Sequence, residues 1–104
     1  MSDSDGSIAA MLRERLRIVQ EVSRLTARHL LNQQIAGGAD FAIMRMEGER
    51  EDGETPEARA AALREELQRR DAARSAMVAD DIALAGLESQ IEELDRRIAA
   101  VERE

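Results

Sequence analysis

The sequence predicts an all-α fold: a long antiparallel helical hairpin with a C-terminal coiled-coil segment, assembling into a helical bundle. Three observations predict it. The chain of 104 residues is 36% charged and 43% hydrophobic, with Phe41 as its one aromatic, His29 its one histidine and Pro56 its one proline. Ala, Leu, Glu and Arg in that abundance, with few Gly or Pro, are the composition of long helices. Two arms of similar length, residues 7–49 and 56–103, flank a polar Gly/Pro segment. Apolar residues near the C-terminus recur at the coiled-coil spacing of seven.

The N-terminal residues 1–6 carry no apolar residue after Met1 and read as a disordered tag before a single hairpin domain, 7–104. Ser4, Asp5 and Ser7 can each cap a helix, because their oxygens accept from its first free amides. From Ile8 the pattern is helical. At about 100° per residue, Ile8, Met11, Leu12, Leu16, Ile18, Val19, Val22, Leu25 and Leu30 fall on one half of the circumference. Arg13, Glu14, Arg17, Gln20, Glu21, Arg24 and Arg28 fall on the other. An apolar half-circle is wider than a two-strand seam and predicts contact with two neighbours.

Gly37-Gly38 predicts an end or kink in this first helix, since each Gly costs about 1 kcal/mol relative to Ala. Residues 41–46 fit neither the helical nor the strand period cleanly. A helical continuation is favoured, because the chain offers no partner strand. Residues 47–56 form the linker, with two Gly, the Pro and no other apolar side chain. Thr55-Pro56-Glu57 then starts a second helix: an N-cap, a Pro with its φ already set, and an acid facing the helix dipole.

The second helix runs from Pro56 towards the C-terminus. Its first half is rich in Ala, which permits close helix approach. Its second half places Met77, Leu84, Ile91 and Ile98 at one heptad position and Asp80, Leu87, Leu94 and Val101 at the other. Glu92–Arg96 and Glu93–Arg97 have the favourable i,i+4 order. Residues 7–36 hold five Arg and two Glu, whereas residues 37–104 hold ten Arg and eighteen acids. A basic arm against an acidic arm is self-complementary.

These features define the expected sites. The interaction seam comprises Leu84, Leu87, Ile91, Leu94, Ile98 and Val101 with Ile8, Leu12, Val19 and Val22. Arg15 lies inside the apolar half of the first helix. It is read either as a snorkelling side chain or as one member of a register-setting ion pair with Asp80 or Asp81. The two acids, being adjacent, diverge by about 100°; they read as a solvated pair or as the end of the coil.

The same composition excludes much chemistry. Without Cys there is no disulfide, thiolate or Cys-based metal site. His29 has no Glu three, or His four, residues away to complete a metal ligand set. The phosphate loop motif is absent. Five Arg on one helix are outweighed, for nucleic-acid binding, by a net charge of −7, the absence of Lys and one lone aromatic. The Arg, acid and Gln spacing of helical chorismate mutases does not line up. The longest apolar runs, such as Phe41-Ala42-Ile43-Met44, fall far short of the roughly 20 residues a spanning helix needs.

The expected protein is therefore a non-enzyme without cofactor, metal, nucleic-acid, membrane or small-molecule partner, located in the cytoplasm. Its expected role is a protein–protein interaction module: an oligomeric scaffold, adaptor or assembly chaperone. Its partner is a protein or a second copy, most simply in a dimer. The alternative is a small acidic regulator, antitoxin-like or anti-factor, that occludes a basic target protein.

Overall fold

The computed structural model describes residues 3–48 and 53–103, with side chains from Ile8 onward. Two helices carry it: α1, Asp3–Gly48, and α2, Pro56–Glu102. They pack against each other as an antiparallel hairpin, and no strand is present among the described residues. Residues 41–46 are helical. α1 begins at Asp3, within the stretch read as a disordered tag, and it runs through Gly37-Gly38 without a break. The apolar seam along its other face explains why the Gly pair does not end it, because most helix stability in proteins comes from packing.

Much of the linker, 49–52, lies outside the described residues. Gly53 has φ of 86°, a left-handed conformation that glycine adopts without a Cβ penalty. The start of α2 follows its sequence signals. The Ala58 amide donates to Thr55 Oγ1 at 3.1 Å, and the Arg59 amide donates to the Thr55 carbonyl at 3.0 Å. Pro56 occupies the first helical position, where its missing N–H leaves no bond unmade.

Both helices follow the heptad further than the sequence reading recognised. On α1, Ile8, Arg15, Val22, His29, Ala36 and Ile43 recur every seven residues, and so do Met11, Ile18, Leu25, Asn32, Ala39 and Met46. Every one of these is buried or half-buried. On α2 the seam continues N-terminally from Leu84 and Asp80 through Met77, Ala73, Arg70, Glu66, Leu63 and Arg59, again all buried or half-buried. Polar residues at core positions hid this part of the pattern.

The chain divides into two compact units. One takes the described residues of Met1–Ala27 and Asp80–Glu104; the other is Arg28–Ala79. In the first, Met11, Ile18, Leu94 and Ile98 form a buried cluster, with Ile8, Val22, Leu87, Ile91 and Val101 packed against it. In the second, the buried apolar residues are Ala36, Ala39, Ile43 and Ala73. Three of these four are Ala, and Ile35, Met46, Leu63, Leu67 and Met77 are half-buried.

Candidate functional site

The heptad residues expected to form an interaction seam lie inside the hairpin itself. Leu94 and Ile98 are buried, and Leu87, Ile91, Val101, Ile8 and Val22 pack on them. Leu84 and Val19 are half-buried, and Leu12 is exposed. Most of the expected seam is therefore already covered by the chain's own helices. The reason is geometric: an antiparallel hairpin presents α1's stripe to α2's stripe before any second molecule arrives.

The candidate ion pair of Arg15 with Asp80 or Asp81 is corrected. Arg15 Nε donates to Asp95 Oδ1 at 2.7 Å. The contact of position 15 with position 95 reports the register of the two helices in this unit. Asp80 lies fifteen residues along α2 from that point, about 22 Å at 1.5 Å per residue. Arg15 occupies a heptad core position at the edge of solvent, so its stem lies on the seam while its guanidinium reaches outward. The Asp95 carboxylate, through this hydrogen bond and its charge, holds the guanidinium above its ordinary pKa.

Asp80 and Asp81 are not a solvated pair. Asp80 is fully buried on the seam, while Asp81, turned by one residue, is exposed. The charge of Asp80 reaches the Arg24 guanidinium, whose main partner is Glu21. His29 is half-buried on the seam of the second unit. There, Asp40 of α1 meets Arg74 at 3.3 Å and Arg70 at 3.9 Å on α2.

Along single helices, several acid–Arg pairs close at three residues, and the expected Glu93–Arg97 spacing gives way to Glu93–Arg96. Glu14–Arg17 at 2.6 Å and Glu93–Arg96 at 2.7 Å are examples. The hydrogen bond from Arg17 holds the Glu14 carboxyl below its usual pKa. All of these pairs are substantially exposed and contribute little each.

A shallow groove lined by Glu14, Ile18, Gln90, Glu93, Leu94 and Arg97 encloses about 200 Å³, below the usual 300–1,000 Å³ of ligand pockets. No group of three potential ligands among the described residues is placed to hold a metal ion. No helix among them is long and apolar enough to cross a membrane.

What stands out instead is apolar surface left uncovered. Leu12, Leu16 and Ile82 are exposed in the first unit, and Leu30, Leu31, Phe41, Met44 and Val78 in the second. In the second unit, Leu30, Gln34, Gly37, Phe41 and Met44 follow the 4-3-4-3 spacing of a heptad stripe, and all five are exposed. They occupy outward heptad positions, where charged residues are ordinarily found. Residues 29–39 contain no Asp, Glu or Arg, in a chain that is 36% charged. The sequence pattern hides this stripe because Gly37-Gly38 predicts an end or kink within it. The charge-free run was the signal available.

The hairpin does not explain the Gly pair. A Cβ built on Gly37 or Gly38 meets nothing within 4 Å. Ala at either position would favour the helix by about 1 kcal/mol.

Comparison with family models, with curated proteins and with solved structures finds no match.

Proposed function

We propose that this chain is a non-catalytic protein–protein interaction module, acting as an oligomeric scaffold, adaptor or assembly chaperone. The observation that carries the reading is the set of large apolar side chains left more than half exposed, including Phe41, Met44 and Ile82. Contiguous apolar surface on a soluble protein marks an interaction site, and depletion of charge marks an interface core. The run 29–39 is free of charge, and Leu30, Leu31, Phe41 and Met44 are exposed in and just beyond it. A cytoplasmic location is in keeping with a chain that uses no Cys.

The alternative role, an acidic regulator covering a basic target, would draw on the net charge of −7. Ion pairs within the chain leave that net charge unchanged and occupy only some of its acids. Glu14, Glu21, Asp40, Glu66, Glu93 and Asp95 each sit beside an Arg. Apolar contact is preferred because it rests on named exposed side chains, whereas the charge reading rests on the net balance alone.

The test is co-purification of the tagged full chain from its host, compared with two triple variants. One changes Leu12, Leu16 and Ile82 to Ser; the other changes Leu30, Phe41 and Met44 to Ser. The expected result is a stoichiometric protein, either different or a second copy, that one variant releases. A wild-type chain that stays monomeric and retrieves nothing sensitive to either variant overturns the reading.

A further inference from the structure

We propose that the exposed stripe Leu30–Gln34–Gly37–Phe41–Met44 of α1 is a self-recognition surface, pairing antiparallel with the same stripe of a second copy. This rests on the interaction reading above and deepens it by naming the surface and its occupant. Four observations select a second copy. The first is spacing: the stripe repeats at heptad intervals over four turns on the outward positions of a helix whose inward seam is already filled. A heptad stripe matches another helix of the same period, so knobs meet holes along its whole length.

The second is charge. Two copies of a chain at −7 repel each other less where charge is sparse; the five stripe residues are uncharged, and residues 29–39, around the proposed axis, are charge-free. The third is shape. Antiparallel coiled-coil pairing about a twofold axis between Ile35 and Ala36 layers Leu30 with Phe41 of the second copy. It layers Gln34 with the second copy's Gly37. Large apolar residues meet at both ends, and the long Gln side chain covers the Gly in each central layer. A parallel pairing would stack Gly37 on itself and leave a gap there. The fourth is the Gly pair, which nothing inside the hairpin requires. The space left beside Gly37 receives Gln34 of the second copy, which gives that glycine a use. The interface is isologous, so it closes at two copies and does not grow into a filament.

The test uses the full chain in two measurements. In sedimentation equilibrium, the wild type is expected to dimerise, and Leu30→Asp with Phe41→Asp to weaken the dimer by at least a hundredfold. Both side chains are more than half exposed in one chain, so the hairpin tolerates the change. Circular dichroism should confirm unchanged helicity. Val78→Asp, equally exposed but on α2, should leave the dimer intact.

Because the chain has no Cys, orientation can be read by single-cysteine cross-linking. Leu30→Cys mixed with Phe41→Cys should give the mixed disulfide. Neither should cross-link with itself, since self-pairs lie eleven residues apart, about 16 Å along the axis. Self-cross-linking of Leu30→Cys overturns the antiparallel arrangement. A dimer insensitive to Leu30→Asp with Phe41→Asp, or lost with Val78→Asp, overturns the surface. A monomeric wild type overturns self-recognition altogether. In that case the interaction reading still stands if co-purification yields a different protein released by a triple variant, and falls if it yields none.

Discussion

The two units of this hairpin bury opposite kinds of residue. The unit formed by the two chain ends holds Met11, Ile18, Leu94 and Ile98 in its core. The unit nearer the turn holds Ala36, Ala39 and Ala73, with Ile43 as its one large buried apolar residue. Leu63, Leu67, Met46 and Met77 are half-buried there, while Leu30, Leu31, Phe41 and Met44 are exposed. The difference teaches that heptad spacing alone says nothing about how much apolar area a seam buries. A seam of Ala brings helices close but removes little surface from water, and burial of apolar area is the main stabilising effect. The unit nearer the turn carries more of the exposed large apolar residues, Leu30, Leu31, Phe41, Met44 and Val78, against Leu12, Leu16 and Ile82 in the other.

The largest effect that could break this comparison belongs to the unit with large core residues. Ile18 is 1% exposed. Ile18→Asp puts an unpaired charge among apolar groups and should destabilise by several kcal/mol, comparable with the whole stability of a small domain. Chemical denaturation should show most of the cooperative transition lost. A change below about 1 kcal/mol would mean this core is wet and the contrast between the units false.

The next effect sharpens the other side. Ala39 has no exposed surface. Ala39→Leu should overpack the Ala seam and cost about 1–3 kcal/mol, despite the good helix propensity of Leu. Stabilisation by this variant would show that the Ala seam is loosely packed and has room for larger residues.

A smaller effect tests the entry to α2. Thr55→Ala removes the oxygen that accepts from Ala58 and should cost about 1 kcal/mol. Native-state hydrogen exchange should show the loss at the first turn of α2, with the Ile18 region unaffected.

The smallest effect is electrostatic. The Glu14 carboxyl titrates below its unfolded value because Arg17 donates to it. A depressed carboxylate stabilises above the unfolded pKa and loses that contribution as pH falls through the folded pKa. Melts of the wild type and Glu14→Gln should differ slightly at neutral pH and converge under acid. A difference that grew on acidification would reverse the sign and show that the pair does not form.

Much of the fold was legible. Leu87, Ile91, Leu94 and Ile98 announced their seam through their spacing, and Thr55-Pro56 fixed the start of α2 through backbone chemistry that acts within one turn. Asp80 was misread because sequence spacing places it on the seam without saying what surrounds it there. Arg15 was given the wrong acid because its partner depends on the register between the helices, and register is a property of two segments at once. The outward stripe through Leu30 and Phe41 was hidden by Gly37-Gly38, whose local cost argues for a break.

By itself, the sequence determined that this chain forms two long amphipathic helices joined by a polar turn. Periodicity and capping are local and can be read residue by residue. Only the tertiary structure decided that the C-terminal heptads close within the chain, that α1 passes through its Gly pair, and that Asp80 goes inside while Phe41 stays out. Each of those outcomes depends on which face of one helix meets which face of the other, and that is settled by summing contacts along the whole seam.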